Sequence, residues 1–329
     1  MNILITGGAG FLGTHLARTL LARGELCGRT LTSLVLTDRV EQADPAVGND
    51  SRVTTHTGDL LDSLPTLFEP PFDAYDAVFH LAAAVSAECE EDFSLGMRAN
   101  LATTEQLLAR ISDQGQQQGL VPRVFFASSV AVFGSEPDIP LPHIVTDSTL
   151  PLPQSSYGIQ KFICEQLVAD YTRKGFIDGR VARLMTVSIR PGRPNGAASS
   201  FLSGIVREPL TGEPCVCPVS PETEVALASP ENTIHGILTV MQASRDELGG
   251  RTAVNLPALT VSVAKMQQAL IDVAGDETAQ LIRFEPDENI ARIVGGWPSR
   301  FESARAARLG LIPDASYDDI IQQYINALA

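Results

Sequence analysis

Eight residues near the start of the chain, Thr6-Gly-Gly-Ala-Gly-Phe-Leu-Gly13, constrain its fold more than any other segment. They follow a short apolar run, Asn2-Ile-Leu-Ile, and open an amphipathic helical pattern, Phe11–Arg23. Gly7 allows a tight turn from strand to helix. Gly10 lets a phosphate approach the backbone, and Gly13 lets the helix pack closely on the strand. The free N–H groups of the first helical turn, around Phe11, Leu12 and Gly13, then face an anion at the positive end of the helix. A glycine triplet by itself is weak evidence. Placed between a strand and a helix, it predicts a dinucleotide-binding βα unit.

The following sequence continues the pattern. Short runs rich in Val, Ile, Leu and Phe recur at Ile3–Ile5, Leu34–Leu36, Val53–His56, Ala77–Leu81, Val124–Ala127 and Leu184–Ile189. Helical patterns separate them, at Phe11–Arg23, Asp92–Ile111 and Ser156–Arg173, with Gln114-Gly-Gln-Gln-Gln-Gly119 as a polar loop. Continuous apolar strands alternating with helices predict a Rossmann-type α/β fold, a doubly wound parallel sheet. After Arg190 the texture changes to Pro-punctuated loops, and helical patterns return at Val261–Val273, Ser299–Leu309 and Tyr317–Ala327. We expect a nucleotide-binding domain over 1–190, with later segments able to return to it, and a smaller α+β substrate lobe over 191–329.

Charge and cysteine usage narrow the function. The 329 residues carry a net charge of −15 with no basic run, which counts against nucleic acid and anionic membranes as partners. No apolar run reaches the length of a membrane span, and no leader pattern precedes the first strand. The five cysteines are sparse, and Cys215-Val-Cys217 lacks the second pair or histidine of a zinc site. A cytoplasmic protein with reduced thiols and no metal is expected.

The strand ends supply candidate cofactor contacts. Asp38, closing the second strand, can bind the hydroxyls of an adenosine ribose and would repel a 2′-phosphate, which favours NAD over NADP. Arg39 beside it is the residue type that accommodates that phosphate, so the preference rests on Asp38. Asp59 and Leu60 follow the third strand, where a carboxylate can accept from an adenine amino group or cap a helix. Leu81, Ala82 and Ala83 follow the fourth, and small side chains there leave room for a flat cofactor.

Chemistry is carried by Ser129, Tyr157 and Lys161. Ser128 and Ser129 end the fifth strand, and Tyr157 and Lys161 lie four apart on one helix face behind a capping serine, Ser155 or Ser156. Removing a proton from an alcohol near neutral pH requires a base, and free tyrosine has a pKa near ~10. Lowering it by about three units needs about 4 kcal/mol of preferential stabilisation of the phenolate. A lysine ammonium and a positively charged nicotinamide ring are suited to that. Ser129 would hydrogen-bond the substrate oxygen, while Tyr157 takes its proton.

Together Thr6–Gly13, His80–Ala84, Asn100, Ser128-Ser129, Tyr157 with Lys161, and Arg190-Pro191-Gly192 make the chain resemble the extended short-chain dehydrogenase/reductase superfamily over nearly its whole length. The resemblance implies a Ser-Tyr-Lys triad, NAD as cofactor, Asn100 as a cofactor-binding residue and a homodimer formed through two helices per subunit, one of them bearing Tyr157, where Phe162, Ile163 and Leu167 supply apolar positions. The stretch Arg190-Pro-Gly-Arg-Pro-Asn-Gly-Ala-Ala-Ser-Ser-Phe201 departs from the Arg-Pro-x-Asn-Val-Tyr-Gly of nucleotide-sugar enzymes. Val130-Ala131 stands where sugar-nucleotide dehydratases carry Asp-Glu, which counts against dehydration. Arg190–Phe201, Arg207-Glu-Pro-Leu210 and Gly296-Trp-Pro-Ser-Arg300 are similar to a branch that oxidises a four-carbon sugar acid at C2 with NAD. A sugar acid needs a cation for its carboxylate. Arg193 and Arg207 are the candidates, with Arg300 better read as a surface ion pair. Ser86, Asn195 and Ser200 are candidate hydroxyl contacts. A sugar or nucleotide-sugar epimerase is the second reading, and a non-catalytic NAD-binding scaffold the third.

Overall fold

A computed structural model describes residues 1–70, 74–192 and 197–328. Its centre is a seven-stranded parallel sheet of β1 (Asn2–Thr6), β2 (Ser33–Asp38), β3 (Val53–Thr57), β4 (Ala77–His80), β5 (Arg123–Ser129), β6 (Asp178–Leu184) and β7 (Val254–Asn255), in the order β7-β6-β5-β4-β1-β2-β3. The strand order reverses at β1. There Thr6 stands level with Thr37 on one side and His80 on the other, and Ser129 is level with Leu184 further along. The carboxyl ends therefore form one rim, and the crevice at the reversal is where such sheets take ligands.

Alternation along the strands fills both faces. Ile3, Ile5, Leu34, Leu36, Phe79 and Phe125 pack beneath α1 (Phe11–Arg23) and the helix Pro230–Gln242. Leu4, Val35, Val78, Val124 and Phe126 pack on the other face against α2 (Leu60–Leu67), α3 (Thr103–Gln118) and α4 (Ser156–Arg173). A separate apolar core gathers Ile189, Leu202, Ile205 and Val206 with Val261, Met266 and the C-terminal helix Tyr317–Leu328. It includes a three-stranded sheet of Thr186–Val187, Glu224–Ala228 and Leu259–Ser262. Residues 230–255 meanwhile lie with the large sheet, supplying a covering helix and its edge strand.

Several sequence expectations need correction. The sixth strand is Asp178–Leu184 rather than Leu184–Ile189, and Thr186–Val187 belongs to the small sheet. Arg180 and Arg183 had masked it, because two arginines in seven residues break an apolar run. Both are buried and paired, Arg180 with Asp178 and Arg183 with Glu165. The segment Gln114–Gln118 is not a loop, because α3 runs through it to a left-handed cap at Gly119. The pattern Asp92–Ile111 is broken, with a helix at Phe93–Gly96, a π-helical turn at Met97–Ala102 and then α3. In the later chain, Leu259–Ser262 and Phe301–Glu302 are strands ahead of the helices Val263–Ala274 and Ala304–Arg308.

Candidate active site

One cavity of about 600 Å³ runs along the rim, from the glycine turn at one end to Tyr157, Arg190 and Trp297 at the other. The glycine end is shaped by backbone contact. Gly7 has φ +71°, and a Cβ there would lie 2.9 Å from the amide nitrogen of Ala82. A Cβ on Gly13 would come within 2.0 Å of the Gly7 carbonyl oxygen. Only hydrogen fits at these positions, so α1 begins directly on the cavity with its first N–H groups uncapped by any side chain. Gly7, Gly10, Phe11, Leu12 and Gly13 all line it. A cradle that side chains would fill, at a helix N-terminus, fits a dinucleotide pyrophosphate.

Asp38 ties the turn to β2. Its Oδ2 accepts from the backbone N–H of Ala9 and of Gly10, each at 3.0 Å. Asp38 and Arg39 both face the cavity, and no ion pair engages the Arg39 side chain among the described residues. Asp59 also lines it while capping α2, accepting from Leu61 and Asp62, and it pairs with Arg98 at 3.3 Å. Leu60, Leu81, Ala82 and Ala83 complete this wall. Behind it His80 bridges the hydroxyls of Thr6 (2.7 Å) and Thr104 (2.9 Å). Burial, aided by the nearby Lys161 charge, pulls its pKa down to about 3. It is a neutral strut and cannot serve as a base near pH 7.

Asn100 is not on the cavity surface. It sits in the π-helical turn, accepting from the Ala84 N–H at 2.8 Å and donating to Gln160 at 2.8 Å. It holds the lining residue Ala84 from behind and links that wall to α4.

The inner end brings Ser129, Tyr157 and Lys161 together. Ser129 closes β5, and its Oγ accepts from the Ala131 N–H at 3.2 Å. Tyr157 opens α4, which Ser155 caps by accepting from Gly158 at 3.1 Å. Gly158 is required there, because a Cβ would stand 2.1 Å from the Ala131 carbonyl oxygen. This close approach brings the first turn of α4 to the end of β5, so that Tyr157 and Ser129 line the same end of the cavity. Lys161, one turn on, is 3% exposed. Its Nζ donates to the Ala127 carbonyl at 2.8 Å and lies 5.7 Å from the Tyr157 ring centre.

The electrostatics run opposite to what proton abstraction needs. Burial pushes the Tyr157 phenol up to about 12, against the opposing pull of Ser129 and Arg190. Burial draws Lys161 down to about 8. Ser129 and Arg190 therefore do not offset the effect of burial on the phenol.

The substrate-contact candidates are scattered. Ser86 lines the cavity, and Ser200 is the N-cap residue of α5 (Phe201–Leu210), next to the lining Ser199. Arg193 and Asn195 lie outside the described residues. Arg207 is not in the cavity wall. Its guanidinium pairs with Glu208 at 2.6 Å and donates to the Arg190 carbonyl at 2.7 Å. Arg300 pairs on the surface with Glu224 at 2.7 Å. Arg190 and Trp297, both cavity-lining, carry the resemblance in sequence but were not among the candidate site residues. The available signal for Arg190 was its place just past the last apolar run, where strand ends deliver ligand contacts. Among the described residues no cluster of His, Cys, Asp and Glu is built to hold a metal, and no helix is long and apolar enough to cross a membrane.

Residues 3–256 match the NAD dependent epimerase/dehydratase family. The chain belongs to that family. NAD is accordingly its cofactor, and the glycine cradle, Asp38 and the Leu81–Ala83 wall are the residues suited to hold it. Similar curated proteins include the D-erythronate dehydrogenase of Cupriavidus necator, 47% identical and covering 99% of this chain and 98% of that protein. The D-erythronate dehydrogenase of Haemophilus influenzae is 42% identical, covering 99% of each. A crystal structure described as a nucleoside-diphosphate-sugar epimerase from Agrobacterium tumefaciens superposes with a TM-score of 0.89 at 39% identity, covering 99% of this chain and 94% of that one.

Proposed function

We propose that this chain is an NAD-dependent dehydrogenase that oxidises the C2 hydroxyl of a short sugar acid, D-erythronate foremost, to the 2-oxo acid. The observation that carries this reading is the meeting of Ser129, Tyr157 and Lys161 at the inner end of one cavity whose other end is the glycine cradle. Two relatives with that activity in their names, alike over almost the full chain, support the substrate.

Ser129 and Tyr157 would receive the substrate hydroxyl between them, with Ser129 donating to its oxygen and Tyr157 accepting its proton. When bound, NAD supplies the hydride acceptor and a positive ring beside the phenol. Lys161, anchored on Ala127, contributes a second positive charge and is placed to bind ribose hydroxyls. The cavity extends from the glycine cradle to Tyr157, so cofactor and substrate would share it. The same reading makes the protein a cytoplasmic homodimer. On α4 Ile159 and Ile163 are exposed and available for such a contact, whereas Phe162 and Leu167 pack inward.

The direct test is NAD reduction across a panel of four-carbon aldonates and uronates. Turnover of D-erythronate is expected, and failure across the panel would falsify the assignment. The Agrobacterium neighbour's description favours a second reading, an epimerase. That enzyme would retain NAD through purification and show no net NADH.

A further inference from the structure

Arg190 stands out among the enclosed arginines. Arg180, Arg183, Arg207 and Arg245 each have a carboxylate within 2.7 Å. Arg305 has none at ion-pair distance but donates to three backbone carbonyls and to Thr252. Among the described residues Arg190 has no acidic partner within 4 Å, and its side chain's hydrogen bond there is a long one, 3.4 Å, to Ser199 Oγ. Residues 193–196, Arg-Pro-Asn-Gly, contain no acid in sequence. Arg190 lines the cavity at the Tyr157 end. Burial and the neighbouring Arg207 both disfavour its charge, and the Tyr157 phenol is close enough to interact with it. A half-buried guanidinium without a counter-ion, facing a cavity, is poised for an anion.

The position of this charge selects the anion. Ser129 and Tyr157 fix where a reacting hydroxyl must lie. In a 2-hydroxy acid the carboxylate is one bond from the carbinol carbon, so a hydroxyl at Tyr157 carries its carboxylate to the immediate neighbourhood. Lys161 and Arg190 are the cations there, and with Lys161 tied to the Ala127 carbonyl, Arg190 is the one whose charge-bearing group is left for an anion. Arg207 cannot take the role, since Glu208 and the Arg190 carbonyl already occupy its guanidinium. It holds the backbone of Arg190 in place instead.

We propose that Arg190 is the carboxylate-binding, specificity-determining residue, pairing with C1 of a 2-hydroxy acid whose C2 hydroxyl sits at Ser129 and Tyr157. The assignment rests on the reading of the substrate as a small hydroxy acid, and it names the residue that would distinguish such acids from polyols, aldoses and sugar nucleotides.

The test compares D-erythronate with its uncharged amide, using the full-length protein with NAD. Arg190→Gln is expected to raise KM for the acid on the order of 10- to 100-fold while leaving KM for the amide and for NAD within about twofold. Arg190→Lys should recover part of the preference, and it replaces the Gln variant should that fail to fold. An acid-over-amide preference unchanged in both variants overturns the proposal while leaving the dehydrogenase reading standing. A second readout does not require turnover. Trp297 is the sole tryptophan and lines the cavity, so its fluorescence reports binding of short 2-hydroxy and 2-oxo acids to the NAD complex. Saturable binding that Arg190→Gln abolishes supports the proposal even where erythronate is not oxidised. Absence of any acid binding to the wild-type complex overturns it.

Discussion

Lys161 Nζ donates to the carbonyl oxygen of Ala127 at 2.8 Å, two residues before Ser129 on the same strand. This bond joins the lysine of α4 to the hydroxyl-bearing end of β5. It also leaves a lysine, 3% exposed, with no carboxylate within ion-pair distance among the described residues. Its neighbours are the thiols of Cys164 and Cys89, the neutral His80, the Phe126 ring at 4.8 Å, and Glu165, whose charge Arg183 already shares. The Lys161 charge is thus held at a cost to the fold.

That cost should appear in stability. Burial draws the Lys161 pKa from 10.5 to about 8. Between these values the unfolded chain binds more protons than the folded one, so stability rises with pH from about 8 to 10.5. Below pH 8 the full penalty applies, about 3 kcal/mol from the size of the shift. Lys161→Met should therefore raise Tm of the cofactor-free protein at pH 7, and the difference from wild type should vanish near pH 10.5. Thermal melts across that range read it directly. A Lys161→Met protein that is less stable at pH 7 would mean that the Ala127 bond outweighs desolvation.

Tyr157→Phe removes the proposed proton acceptor and leaves the ring packing in place. Activity should fall by about 10²–10⁴-fold, the range for a positioned general base. Ser129→Ala, which deletes a donor to the substrate oxygen, should lower kcat by roughly 10²-fold with NAD affinity unchanged. Equilibrium binding of NAD separates these effects from damage to the cofactor lobe. Unchanged turnover in Tyr157→Phe would remove Tyr157 from the chemistry, and unchanged function of that variant in cells would favour a scaffold over an enzyme.

The glycine turn, the α4 helix over Ser156–Arg173 and the meeting of Tyr157, Lys161 and Ser129 were legible because local rules govern them: glycine sterics, a serine cap and the i, i+4 spacing of a helix face. The β6 strand was not, because two arginines interrupt its apolar run: Arg180 is neutralised by Asp178 at the start of the strand, and Arg183 by Glu165, a partner that only the tertiary fold brings near. Arg207 and Arg190 show the same limit. Both follow the strand region and both are arginines, but Glu208 beside Arg207 in sequence takes its charge, whereas among the described residues no acid pairs with Arg190. Which arginine faces a cavity depends on side-chain partners, and these have no periodic signature. Asn100 was read as a cofactor contact, yet it lies one layer behind, because a helical position does not tell whether a side chain reaches the cavity or its wall.

Asp38 serves two tasks, and a single substitution separates them. Its Oδ2 orders the turn through Ala9 and Gly10, while its carboxylate faces the cavity beside Arg39. Asp38→Ala should raise KM for NAD on the order of 10-fold, through the lost charged hydrogen bonds. It should also improve use of NADP, since Arg39 would remain to meet a 2′-phosphate. Steady-state constants for both cofactors check this. Weakened NAD with no gain for NADP would assign Asp38 to the turn only.

Glu165 and Arg183 form a buried ion pair between α4 and β6. Glu165 accepts from Ser128 Oγ at 2.5 Å and from Arg183 Nε and Nη2 at 2.9 and 2.7 Å. Arg183 also donates to Asn255 at 3.3 Å, and its guanidinium stacks 4.8 Å from the Phe133 ring. Both charges are almost fully buried, so the pair's net worth is small but breaking it is not. Glu165→Gln leaves Arg183 uncompensated and should destabilise the protein by about 3–5 kcal/mol. Glu165→Gln combined with Arg183→Met should recover much of that loss, because the second change removes the stranded charge. Because Ser128 lies between Ala127 and Ser129, the single variant should also lower kcat more than it raises KM. Chemical denaturation of the two single variants and the double variant gives the coupling energy. A coupling near zero would show that Ser128 and Asn255, rather than the ion pair, hold the end of β5 to α4.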